Sequence, residues 1–253
     1  MDGTVEQRAE IIAGGDVVVR GGIIGARVQA GGSLYAKFIQ DSEVEVGEDL
    51  VVRNYVQQSQ VQVQRKATIQ GDEGGPRQLC VLGGALQAGV SVEAASIGSA
   101  YGRQTRVVAG VDPEVEARLA RYRRGLSFAE TQSRRVMRSI LNATGGSGHK
   151  RAIEKALQEA PKGRREFLMD LLKKMQEVAK LHESLDHHIE ELKEAQKETA
   201  GRGRIRVTGT AFPKVTMQLG ETYQILSEEV AAVTFYLNKE QQIARDLLAG
   251  GEA

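Results

Sequence analysis

A short apolar pattern recurs near the start of the chain at an almost fixed step. It runs Ile11-Ile12-Ala13-Gly14-Gly15-Asp16, Val28-Gln29-Ala30-Gly31-Gly32-Ser33, Val44-Glu45-Val46-Gly47-Glu48-Asp49 and Val61-Gln62-Val63-Gln64-Arg65-Lys66, with first residues 17, 16 and 17 positions apart. A second set keeps step at Val17-Val18-Val19, Leu34-Tyr35, Leu50-Val51-Val52 and Ala67-Thr68-Ile69, and a third at Ile23-Ile24, Phe38-Ile39 and Tyr55-Val56. Short β-branched runs recurring like this bury their apolar side by stacking on the neighbouring copy, so the pattern predicts a coil of strands, each rung lying on the one before. Inward Ile, Val, Leu and Ala then form columns, each buried Val or Ile contributing roughly 1.5–3 kcal/mol. A left-handed coil usually shows a strict hexapeptide period. A step of 16–17 residues does not supply one, so the expected hand is right.

Composition narrows the function classes. The chain has 253 residues, 41% of them apolar and 26% charged, with a net charge of +1, which describes an ordered chain without a strong pull toward nucleic acid. Five Phe, six Tyr and no Trp disfavour the stacking platforms of single-strand binders. Cys80 is the single cysteine, so no internal disulfide forms, and a reducing cytoplasm is compatible. No apolar run approaches the roughly 20 residues of a bilayer span. Met1-Asp2-Gly3 begins neither a basic nor an apolar leader, so the expected location is cytoplasmic.

Glycine usage divides the chain. Eighteen of 29 glycines fall in residues 1–110, where corners need positive φ or close backbone approach. Residues 1–112 read as rungs, with a loop at 71–77 and the pattern resuming at Leu79-Cys80-Val81-Leu82-Gly83-Gly84. Asp112 is a candidate N-cap, Pro113 suits a first helical position, and Glu114 and Glu116 suit the positive end of a helix over 113–142. A second helix is expected over 149–159. Leu168, Leu171, Met175, Val178, His182, Leu185, Ile189 and Leu192 then keep alternating steps of three and four, which predicts a coiled-coil seam.

The first arm carries seven Arg against three Glu, and residues 164–198 carry seven Lys or Arg against nine acids. These opposite balances fit two antiparallel arms of an inserted hairpin over 113–200, with its tip at 143–163. Strand grammar returns over 201–248, and 249–253 read as a frayed tail. The predicted class is mainly β with an α-helical insertion: a right-handed parallel β-helix carrying a long antiparallel coiled-coil hairpin.

The arrangement resembles the flagellar assembly protein A family. The residues that carry the likeness are 13–26 (Ala13-Gly14-Gly15-Asp16-Val17 onward to Gly25-Ala26), Val28-Gln29-Ala30-Gly31-Gly32, Leu82-Gly83-Gly84, Ile97-Gly98-Ser99 and the strands from Ile205 to Gly220. The resemblance covers nearly the whole chain and implies a right-handed β-helix with an inserted coiled coil. Members usually carry a further domain before the β-helix, which is not seen here. Some look like partners of the glucose-specific enzyme IIA of the sugar phosphotransferase system, so the resemblance implies a regulatory protein contact; no short motif marks that contact in this chain.

Motifs that suggest other chemistry have plainer readings. His182 and His187 are five residues apart and do not share a helix face as zinc ligands at i, i+4 would, so no metal is expected. Asp16, Ser33, Asp49 and Lys66 occupy equivalent positions and read as turn formers rather than as a carboxylate pair of a carbohydrate-active enzyme. Gly146-Ser147-Gly148-His149-Lys150 lacks the frame of a phosphate loop, and no cofactor is expected. Cys80 reads as a half-buried structural thiol.

Arg121, Arg123 and Arg124, then Arg134 and Arg135, read first as a solvated face paired with the acidic returning arm, and second as a surface for an acidic protein; nucleic acid and membrane are weaker readings. The expected function is a non-enzymatic cytoplasmic scaffold. Its candidate protein-interaction residues are Arg121, Arg124, Arg134, Arg135, His149, Lys150, Lys162 and Arg164. The competing expectation is a self-assembling, cytoskeleton-like homo-oligomer extended through open strand edges. A β-helix enzyme acting on carbohydrate is a remote third.

Overall fold

The computed structural model describes residues 1–6, 8–71 and 80–248. The loop expected at 71–77 (apart from Gly71), Leu79 and the expected frayed tail at 249–253 lie outside the described residues. The first rung contains β1 (Glu10–Ala13) and β2 (Val17–Ile24), and the second β3 (Arg27–Ala30) and β4 (Leu34–Gln40). β5 (Glu43–Val46), β6 (Leu50–Val52), β7 (Val56–Val63), β8 (Lys66–Ile69), β9 (Val81–Ala88), β10 (Ser91–Ala94) and β11 (Thr105–Ala109) continue the coil. Three helices follow, α1 (Pro113–Ala143), α2 (Lys150–Glu159) and α3 (Lys162–Arg202). Strands then return as β12 (Arg204–Ala211), β13 (Val215–Leu219), β14 (Thr222–Ile225), β15 (Val230–Leu237) and β16 (Ile243–Leu247).

The strands stack in parallel into three columns, one for each apolar set in the sequence. Ile11, Val28, Val44, Val61, Leu86, Val107 and Met217 are successive partners in the first column. Val17, Leu34, Leu50, Ala67, Val92 and Ile205 form the second. Val5, Ile23, Ile39, Val56, Val81, Ile97 and Ala211 form the third. The first column is buried from Val28 to Met217, the second and third throughout, and all three feed one continuous core. This is a β solenoid.

Backbone groups that leave the ladders at corners find side-chain partners. Ser42 Oγ donates to the Gln40 carbonyl at 2.6 Å and accepts from the Ala26 N–H of the rung before. Ser59 Oγ repeats this with the Gln57 carbonyl at 2.7 Å and the Ser42 N–H. Gly84 occupies the same position one rung on, with φ +76°, and a Cβ there would collide with the Ser59 carbonyl. Thr105 on the following rung accepts from the Gly83 N–H at 2.9 Å. The corner therefore keeps its hydrogen bonds by alternating hydroxyls with one glycine.

The helices enter at a corner of the other kind, between the first and second columns. In earlier rungs this corner takes two or three residues, as at 14–16 and 31–33; between β11 and β12 it takes 110–203. Gly110 and Gly203 make this possible. Each lies so close to the other that an added Cβ would sit 2.9–3.0 Å from its partner's Cα, and Gly110 has φ +71°. The chain therefore leaves and rejoins the solenoid at adjacent points. β12 pairs parallel with β10 and β13 with β11, so the stacking resumes in register. Beyond them the pairing turns antiparallel: β14 on β13, β15 on β12 and β16 on β15.

Two compact units result, residues 1–116 with 195–253, and residues 117–194. The alternation at Tyr223 and Ile225 does form a strand, but these residues are 71% and 60% exposed because β14 is a sheet edge rather than a stacked rung. Gly84→Ala is expected to lower solenoid stability by at least about 1–3 kcal/mol, the cost of forcing a side chain into this φ region, before the collision is counted. Urea unfolding followed by far-UV circular dichroism checks it, and an unchanged midpoint would contradict the corner account.

Candidate protein-interaction surface

Asp16 and Asp49 at the solenoid corners are occupied by the solenoid's own backbone. Asp16 Oδ1 accepts from the Ser33 N–H at 2.7 Å, and Asp49 Oδ1 from the Lys66 N–H at 3.1 Å. Ser33 lies between them, so each residue serves the rung that follows, and the two carboxylates do not form an acid–base pair. Cys80 is fully buried, not half-buried, as part of the solenoid core; desolvation pushes its thiol above the ordinary range, against hydrogen bonds from Ser96. Among the described residues no group of three His, Cys, Asp or Glu is placed to hold a metal ion.

In the unit 117–194, α1 and α3 touch along their length. Tyr122 meets the His188 ring edge-on at 5.5 Å between centroids, Ser133 Oγ contacts Met175 Sδ at 3.7 Å, and Arg164 donates to the Ala143 carbonyl at 2.8 Å. Residue numbers rise along α1 as they fall along α3. At Gly125 a Cβ would lie 3.3 Å from Leu185 Cδ1, so this glycine allows close approach. On α3, Leu168, Leu171 and Ile189 are buried, and Met175, Val178, His182, Leu185 and Leu192 are partly buried. His182 Nδ1 lies 3.0 Å from Asp186, and His187 Nε2 lies 3.2 Å from Glu191, one turn along the same helix in each case.

The expected pairing of α1 arginines with the acidic returning arm does not occur among the described residues. Arg134 pairs with Glu130 on its own helix at 3.6 Å. Arg118, Arg121, Arg123, Arg124, Arg135 and Arg138 are exposed, and their side chains have no hydrogen-bond or ion-pair partner among the described residues. The acids of α3 pair instead within α3, as in Asp170–Lys174 at 2.7 Å and Glu190–Lys193 at 2.8 Å. A neighbour one turn away costs less side-chain entropy to reach than a partner on another helix, and exposed pairs gain too little to overcome that difference.

The eight candidate residues fall into two groups. Arg121, Arg124 and Arg135 lie on the α1 stripe away from buried Leu119, Ala129 and Ile140, and Arg134 lies beside it. Phe128 sits on that stripe, 61% exposed, and is the residue that sequence reasoning missed. Its signal was present, since it follows Arg121 and Arg124 at the same steps of three and four.

The other group lies around α2 and the start of α3. His149 caps α2 without a side-chain bond, Lys150 reaches Glu154 at 4.0 Å, and Lys162 opens α3. Arg164 lines an open cavity of about 430 Å³ with Ala143, Ala152, Lys155, Ala156 and Pro161. No residue of α2 is fully buried.

The class defined by this fold is a β solenoid whose sixth rung is interrupted by a helical unit. The chain belongs to the FapA family, the Flagellar Assembly Protein A beta solenoid domain, whose family model matches residues 1–243. No curated protein and no solved structure matches the chain. No helix is long and apolar enough to cross a membrane among the described residues. Leu168→Ala is expected to cost the helical unit about 2–5 kcal/mol, the usual range for a buried leucine. A selective fall in the thermal midpoint at 222 nm checks this, and an unaltered midpoint would contradict packing of α3 through Leu168.

Proposed function

We propose that the chain is a non-enzymatic, cytoplasmic scaffold that acts in flagellar assembly by holding a protein partner. In this reading the solenoid is a right-handed parallel β-helix, and α1 and α3 form an antiparallel coiled-coil hairpin closed at its tip by 143–163. The observation that carries it is the contrast between surfaces. Asp16 and Asp49 at the solenoid corners serve its own backbone, whereas Arg118, Arg121, Arg123, Arg124, Arg135 and Arg138 of α1 are exposed and unpaired among the described residues. Arginines and an aromatic residue on one surface are the side chains most enriched where binding energy concentrates.

The partner class suggested by the family resemblance is the glucose-specific enzyme IIA, with the tip as contact. Titration calorimetry with that protein, phosphorylated and unphosphorylated, tests this directly. Binding is expected to differ between the two states. It should be lost when 143–163 is replaced by a short turn, with the strand signal of the solenoid retained. Absence of binding in both states rules out this partner, and binding that survives the deletion rules out the tip.

A further inference from the structure

We propose that the arginine stripe of α1 docks on the acidic face of α3 in a second copy of this chain. Arg121, Arg124, Phe128, Arg135 and Arg138 follow one another at steps of three, four, seven and three, so they lie on a single helix stripe. At 1.5 Å per residue the stripe is about 25 Å long. It lies opposite the side that carries Leu119, Ala129 and Ile140, and therefore away from the α3 of its own chain. Residues 117–143 hold seven Arg and one Glu. Residues 176–194 hold six acids (Glu177, Glu183, Asp186, Glu190, Glu191 and Glu194) and two Lys. Glu183, Asp186, Glu190 and Glu194 among them follow at steps of three, four and four, so they lie on a single stripe of α3, and all four are exposed.

Two stripes of opposite sign, the basic one carrying exposed Phe128, thus exist on one molecule and do not pair with each other among the described residues. A second copy is the occupant for which complementary charge at matching helical spacing is visible. Interspersed single apolar residues are too few for an interfacial membrane helix, which needs a continuous apolar face. Because the donor and acceptor surfaces differ, the contact is heterologous: it grows into a row, or closes into a ring if the rotation permits. This association is independent of whether enzyme IIA binds, and it uses the helices rather than open strand edges.

Sedimentation velocity of the full chain over a hundredfold concentration range is the first test. At about 50 mM salt the weight-average size is expected to rise with concentration, and at about 500 mM to fall to monomer as screening shortens the reach of the charges. Two charge-reversed variants make the test specific. One carries Arg121→Glu, Arg124→Glu and Arg135→Glu; the other carries Glu183→Lys, Glu190→Lys and Glu191→Lys. Each alone is expected to stay monomeric with wild-type helicity, and an equimolar mixture to associate again, since each reversed surface meets its complement. Phe128→Ser, which alters an exposed residue, should weaken association severalfold and serves if a charge-reversed chain fails to fold.

A wild-type chain that remains monomeric at low salt overturns the proposal, as does a mixture that fails to associate. Fluorescence titrations with a labelled RNA duplex and with vesicles containing phosphatidylglycerol provide the remaining arm. Arginine-dependent binding to either by a monomeric wild-type chain would assign the stripe to that ligand and overturn the second-copy assignment.

Discussion

Every strand in the solenoid depends on the rung before it. A single rung exposes both backbone edges and cannot bury both sides of its apolar residues. Stacking answers both needs at once, because the hydrogen bonds that join Val28 to Val44 and Val44 to Val61 also place their side chains in contact. Register is therefore fixed by burial: a slip of one residue would send each column outward and replace it with the polar positions between. Corners must then resolve the backbone groups that the ladders leave. Hydroxyls at Ser42, Ser59 and Thr105, carboxylates at Asp16 and Asp49, and a glycine at Gly84 do so without a bulky side chain between rungs.

The same constraint explains how a long insertion coexists with the core. A corner's length is not set by the ladders, so the sixth rung can hold residues 110–203 provided its two ends remain adjacent. Gly110 and Gly203 satisfy that condition by backbone contact. The core then supplies rigidity, while the inserted helices present a stripe of exposed arginines. The family to which the chain belongs is defined by a β solenoid and named for flagellar assembly.

How much of this could be read from the residues differs by element. The first four rungs are legible because their corners are short, so Val28, Val44 and Val61 recur at a steady step. Leu86, Val107 and Met217 continue the same column but lose the step, since longer segments intervene before each of them. Tyr223 and Ile225 alternate like buried strand residues, and only the antiparallel edge position of β14 reveals that they face outward. Spacing on α3 is a local signal and needs no tertiary information. Charge totals do not state which acid an arginine meets: Glu130 is one turn from Arg134 and takes it, whereas Arg121, Arg124 and Arg135 find no partner among the described residues. The spacing of Phe128 from Arg121 and Arg124 is visible in the sequence, but a lone aromatic in a basic helix gains meaning only when its face is known to be exposed.

The central claim is that the rungs before and after the inserted helices form one solenoid. Native-state hydrogen exchange in rising denaturant tests it most directly, by comparing the amides of β10 with those of β12 and the amides of β11 with those of β13. The account predicts that each pair opens together, with the same free energy and the same dependence on denaturant. Exchange of β12 and β13 through a separate and easier opening, shared with the helices and not with β10 and β11, would contradict it.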